Sequence, residues 1–188
     1  MSANQGRSRI PAANEVQIRG VRKEIIDSQL YELSRTSGEV VSTMSSRVKR
    51  KVRVVLADDH PGLRYGIRKI LEKSSRIEVI GEANNGQEAL QLVEVLEPDV
   101  LVLDIQMPVM NGVQVASHLK NNHLKVKILG LSAFDDLYFV KGLMENGASG
   151  YLTKDEAPKT IVEAVLGVAH GEEEWLSDSV REKLHSEN

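Results

Sequence analysis

Five side chains in this sequence are of the types that handle phosphate and divalent cations, and each closes or follows a short apolar run. Asp58 and Asp59 end VRVVLADD, Asp104 ends VLVLD, Ser132 ends KILGLS, and Lys154 follows GYLT. If those runs are parallel strands, their ends share one rim and three carboxylates meet there. Carboxylates so crowded repel one another unless a cation lies between them. Hard oxygen donors of this kind select Mg2+, which keeps some of its waters. A lysine and a small hydroxyl nearby complete an electrostatic clamp for a phosphoryl group. Each residue also has a plainer use, the aspartates as helix caps and the lysine as a solvated surface group. His60 lies beside the acids, but Mg2+ prefers oxygen, so His60 reads as a loop residue lining the site.

The elements that must position these residues are legible as an alternation. Short apolar runs at Val52–Ala57, Ile77–Ala83, Val100–Ile105, Lys127–Ala133 and Ser149–Thr153 are mostly Val, Ile and Leu without polar alternation. That pattern suits parallel strands covered on both faces. Helical spacing recurs between and after them: Leu63, Ile67, Ile70 and Leu71; Ala89, Leu90, Val93 and Leu96; Leu137, Val140, Leu143 and Met144; Ile161, Val165 and Val168. Breakers such as Pro61-Gly62, Gly86, Pro98 and Asn111-Gly112 separate the runs. Five βα units over residues 51–171 predict an α/β doubly wound, five-stranded parallel sheet with helices on both faces. In such sheets ligands bind at the carboxyl ends of the strands, where strand order reverses.

Composition narrows the chemistry further. The 188 residues include no cysteine, which removes disulfides, zinc–thiolate sites and cysteine nucleophiles. No apolar run approaches the ~18 residues that a membrane span needs, and the N-terminus has no apolar signal core, so a soluble cytoplasmic protein with no membrane contact is expected. Residues 1–50 carry nine Lys/Arg against five Asp/Glu, whereas the remainder carries 15 against 22. An acidic body argues against direct nucleic-acid binding by that part. The basic cluster Arg47, Lys49, Arg50, Lys51 and Arg53 reads as a solvated approach to the first strand, with phosphate contact as the alternative.

The signatures LADDHPGLRYGI, GEANNGQEAL, PDVLVLDIQMPVMNG, LGLSAFDD and GASGYLTKD, in this order and spacing, resemble a bacterial two-component response-regulator receiver domain of the NarL/LuxR (FixJ) class. The resemblance covers 51–171 and implies the flavodoxin-like strand order 2-1-3-4-5. It also implies roles. Asp104 would accept a phosphoryl group from a phosphohistidine on a partner histidine kinase, as nucleophilic catalysis giving an acyl phosphate. Asp59, Asp104 and the backbone carbonyl of Gln106 would ligate Mg2+, with Asp58 holding it through a water. Lys154, the Ser132 hydroxyl and the Ala133 N–H would bind the phosphoryl oxygens. Ser132 and Tyr151 would form the switch, Ser132 moving toward the phosphoryl group and Tyr151 turning inward. Gln106 and Phe134 would flank the path of a hydrolytic water, and a phenylalanine there implies slow dephosphorylation. The chain would catalyse only its own phosphorylation and dephosphorylation, and so not be an enzyme acting on other substrates. Two departures from the general receiver pattern are small. Asp155 follows Lys154 where many receivers have proline, and Asn111 stands at a turn position, expected to tolerate positive φ, where aspartate is commoner.

The flanks are less specific. Residues 1–50 form an N-terminal extension in which Ile18, Val21, Ile25, Ile26, Leu30 and Leu33 suggest an amphipathic helix before a Ser/Thr-rich connector. A loose attachment and a helix docked on the body or on a second copy are both open. Residues 172–188 form an acidic tail or linker start, with room for one short helix and for Trp175 and Leu176 to pack back. Members of the class commonly carry a helix-turn-helix domain, which needs ~60 residues for its three or four helices, and the tail offers too few. Three functions therefore stand side by side. They are a receiver from a transcription regulator whose DNA-binding domain is absent from this chain, a stand-alone receiver acting by phosphotransfer or protein contact, and a small phosphate- or nucleotide-binding enzyme. Against the third, no GxxxxGK[ST] or GxGxxG loop follows the first strand. A phosphorylation-linked homodimer is compatible with the first two.

Overall fold

The computed structural model describes residues 50–186; the helix expected within residues 16–33 lies outside them. Six strands run in parallel: β1 (Val52–Ala57), β2 (Ile77–Ala83), β3 (Val100–Asp104), β4 (Lys127–Ser132), β5 (Gly150–Thr153) and β6 (Trp175–Leu176), in the order β2-β1-β3-β4-β5-β6. The helices are α1 (Pro61–Glu72), α2 (Gly86–Leu96), α3 (Gly112–Asn121), α4 (Leu137–Glu145), α5 (Ala157–Ala169) and α6 (Asp178–Ser186). The five expected strands appear within one residue of their sequence bounds, in the expected order.

Strand alternation divides the core into two layers. Val54, Leu56, Val100, Val102, Leu129 and Leu131 point to the side covered by α1 and α5. Val55, Ala57, Leu101, Leu103 and Ile128 point to the side covered by α2, α3 and α4. Central strands buried on both faces need apolar residues at consecutive positions, and β3 is buried at all five. Full burial of a side chain such as Leu101 or Leu103 is worth about 2 kcal/mol.

The helix starts follow local chemistry. Asn85 caps α2 by accepting from Glu88 N at 2.9 Å. Asn111 and Gln114 form a capping box at α3, each side-chain oxygen accepting from the other's backbone N–H at 2.9 and 3.0 Å. Asn111 therefore has φ −78° and works as a cap. Positive φ, which an asparagine there would have tolerated, falls instead on Val109, at 69°.

The sixth strand is the addition to the expected architecture. Trp175 N donates to Ser149 O at 3.1 Å and Ser177 N to Tyr151 O at 3.0 Å, which extends the sheet beyond β5. Trp175 lies on α5 at Gly167, where a Cβ would come within 2.4 Å of its indole nitrogen. Past β6 the chain crosses to the other layer, and Val180 of α6 is fully buried with Tyr151, Val140 and Leu143. Two residues are too short a strand to show any periodicity, so the sequence carried no signal for it.

Candidate functional site

The parallel order brings the ends of β1, β3, β4 and β5 to one rim. Asp58 follows β1 with no exposed surface, Asp104 ends β3 at 2% exposure, and Ser132 ends β4 at 1%. Lys154 follows β5, and its backbone N–H donates to Ser132 O at 2.6 Å. Its ammonium reaches across the rim to lie 2.8 Å from Asp104 Oδ2 and 2.9 Å from Asp58 Oδ2. Gly112 keeps the β3–α3 loop close: a Cβ there would fall 2.4 Å from the Asp104 carbonyl oxygen.

The remaining carboxylate oxygens are unevenly satisfied. Asp104 Oδ1 accepts from Gln106 N at 3.2 Å, and Asp58 Oδ1 accepts from His60 N at 2.8 Å. Asp58 Oδ2 has the ammonium near it but off the direction of a hydrogen bond, and it is a buried oxygen without a hydrogen-bond partner. Burial pushes the Asp104 carboxyl above its ordinary range, with the neighbouring Asp58 charge adding to the rise and Lys154 opposing it. Burial alone would lower the Lys154 ammonium, but its hydrogen bond to Asp104 and the charge of the nearby Asp58 carboxylate hold it above its usual value. One buried cation thus serves two buried carboxylates, and the pocket retains an excess of negative charge.

Asp58, Asp59 and His60 form an acidic group whose ligand atoms lie within 4.8 Å of one another. His60 Nδ1 is 3.1 Å from Asp59 Oδ1, on a largely exposed ring. Asp104 is brought to this group through Lys154 and Asp58. The orphaned Asp58 oxygen, together with an all-oxygen carboxylate set, fits a hard divalent cation.

Ser132 and Tyr151, expected to form the switch, both bond to Phe134. Tyr151 is fully buried, and its hydroxyl donates to the Phe134 carbonyl at 2.7 Å. Burial raises its pKa. Ser132 Oγ accepts from Phe134 N at 3.2 Å, so the β4–α4 loop is tied to both. Ala133, Phe134 and Gln106 are exposed at the rim, Phe134 at 55%.

Sequence reasoning missed Arg64. Its guanidinium donates to the Asp58 carbonyl and, at 3.2 Å, to Glu82 on β2, bracing the β1–α1 turn from behind. The only signal was its place one helical turn after His60. Glu156, two residues past Lys154, was missed as well; it binds the start of α6.

Residues 54–166 match the response regulator receiver domain. The chain belongs to the response regulator receiver family. Over 128 residues this receiver is 42% identical to the probable transcriptional regulatory protein NarL of Mycobacterium tuberculosis, covering 68% of this chain and 59% of that protein. It is 37% identical to the nitrate/nitrite response regulator NarL of Escherichia coli, covering 63% of this chain and 55% of that one. The chain thus spans little more than half the length of these curated relatives. The solved signal receiver domain of the putative response regulator NarL from M. tuberculosis superposes with a TM-score of 0.63 at 43% identity, covering 65% of this chain and 98% of that structure. Relatives of the receiver are transcriptional regulators of two-component systems. No helix among the described residues is long and apolar enough to cross a membrane.

Proposed function

We propose that this receiver takes a phosphoryl group onto Asp104 from the phosphohistidine of a sensor histidine kinase. The observation that carries the reading is the arrangement around Asp104: a buried carboxylate at a strand end, bonded to Lys154 and crowded by Asp58. In the step, an Asp104 carboxylate oxygen attacks phosphorus, the P–N bond to the imidazole breaks, and the imidazole leaves with the electron pair and gains a proton. Asp58, Asp59, Asp104 and the Gln106 carbonyl would hold Mg2+, which supplies charge neutralisation for the transferring group. Lys154 is placed to pass from its carboxylate partners to a phosphoryl oxygen. Ser132 Oγ and the Ala133 N–H lie on the adjacent strand end to receive the others. The added negative charge then acts on the β4–α4 loop, which Tyr151 already holds through Phe134.

The relatives' names support a transcriptional output for this receiver, exerted from the face formed by α4, β5 and α5. The acidic body leaves DNA contact to another domain, and the chain's own chemistry is limited to gaining and losing its phosphoryl group in the cytoplasm. The test is incubation with acetyl phosphate and Mg2+, followed by intact mass measurement. A gain of one phosphoryl group, lost in Asp104→Asn and with chelator, is expected. No gain in the wild type overturns the reading.

A further inference from the structure

The C-terminal helix α6 is gripped at both ends, and each grip belongs to a loop that also carries a phosphoryl-facing residue. At its start, Glu156 accepts from Asp178 N at 2.9 Å and from the Ser179 hydroxyl at 2.8 Å. Just before α6, the buried Ser177 Oγ accepts from Thr153 N at 2.7 Å. Thr153, Lys154 and Glu156 are successive parts of one turn, closed by Glu156 N donating to Thr153 O at 3.2 Å. Toward its other end, Lys183 Nζ donates to Asp135 Oδ1 at 2.6 Å. Asp135 sits three residues after Ser132, in the loop that Phe134 ties to both Ser132 Oγ and Tyr151. Between the grips, Val180 is buried against the layer that contains Tyr151, Val140 and Leu143.

We propose that α6 is a strap over this face whose hold depends on the rim: loading Asp104 loosens it. The proposal rests on the phosphoacceptor reading. A phosphoryl group needs the Ser132 hydroxyl and Lys154 Nζ as donors; Lys154 now serves the two aspartates, and Ser132, whose Oγ accepts from Phe134 N, has to turn its O–H toward the rim. Drawing Ser132 toward the rim carries the short segment to Asp135 with it, away from Lys183. Drawing Lys154 off its aspartates shifts the turn that ends in Glu156. Two grips weaken together, and an exposed ion pair is the first to part. By reciprocity, a strap already loosened makes the rim easier to load.

Hydrogen exchange of the α6 amides in the full chain tests this, with phosphoryl occupancy read by intact mass on the same samples. In wild type treated with acetyl phosphate and Mg2+, amides of 178–186 should exchange about tenfold faster than before treatment. Amides of β1 and β3 should not change. Lys183→Met, untreated, should already speed α6 exchange by about threefold and take up phosphoryl groups faster than wild type. Trp175, the sole tryptophan, gives a second readout through its fluorescence at the foot of the strap. Full phosphoryl occupancy with unchanged α6 exchange overturns the strap and leaves the phosphoacceptor reading standing. No phosphoryl gain at all overturns that reading, and the coupling with it.

Discussion

Two lysine–aspartate contacts in this receiver look alike by distance and differ in nearly everything else. Lys154 meets Asp104 at 2.8 Å with side chains 14% and 2% exposed, whereas Lys183 meets Asp135 at 2.6 Å with side chains 50% and 32% exposed. The shorter contact is the more exposed one. Water screens the outer pair and can replace either partner, so its net contribution is small and salt-sensitive. The inner pair has given up that hydration, and removing one member strands a charge. Distance thus ranks neither contact, and burial ranks both. A buried pair suits a site where charge must be fixed before chemistry begins; an exposed pair suits a contact that has to part and re-form.

The largest effect should follow from breaking the inner pair. Lys154→Met leaves Asp58 and Asp104 without their cation and should cost about 3 kcal/mol of stability, read from urea denaturation. It should also cut phosphoryl uptake severely. A stability loss no greater than that of Lys183→Met would break the comparison.

Glu156 lies between the extremes. Burial alone would raise its carboxyl, but the Ser179 hydroxyl and the N–H groups of Asp178 and Ser179 hold it below its ordinary value. A depressed folded pKa means that its contribution is present above the ordinary carboxyl range near ~4.3 and is lost as pH falls through the folded value. Glu156→Gln should therefore lower stability slightly at neutral pH, by well under ~1 kcal/mol because water screens the carboxylate. That gap should close on acidification, as measured by paired denaturation at several pH values. Tyr151→Phe removes one buried hydrogen bond to Phe134 and should cost about 1 kcal/mol at every pH below the tyrosine range, with phosphoryl uptake retained.

Phe134→Glu replaces an exposed apolar side chain at the rim by one that can orient water, and should shorten the phosphorylated lifetime with little change in stability. An unchanged lifetime, followed by intact mass over time, would remove Phe134 from that role. The smallest effect is expected for Lys183→Met. Its unfolding midpoint should match wild type within error, while its α6 exchange difference should vanish at high salt.

Legibility in the sequence followed the same division. The strands were readable because both-face burial demands continuous apolar runs, and the helices because one buried face imposes its spacing on Leu63, Ile67 and Leu71; the strand order came only through the resemblance to a receiver. The convergence of Asp58, Asp104, Ser132 and Lys154 followed from placing them at parallel strand ends. β6 was not readable, since Trp175-Leu176 has no period and joins the sheet by backbone bonds to Ser149 and Tyr151. Arg64 gave little warning, because an arginine on a helix face looks the same whether it is solvated or reaches a carbonyl.

The sequence by itself determined the receiver framework and the chemical character of its rim. Those depend on residue type and period, which are properties of the chain read in order. Only the tertiary structure decided which charges face each other and how dry they are. It put Lys154 between two buried carboxylates, left one Asp58 oxygen unmatched, turned Tyr151 inward onto Phe134, and laid α6 across the face with a grip from each loop. Those facts depend on distances between residues as far apart in the chain as Asp58 and Lys154 and on the water excluded around them. Neither quantity is written in any local stretch of sequence.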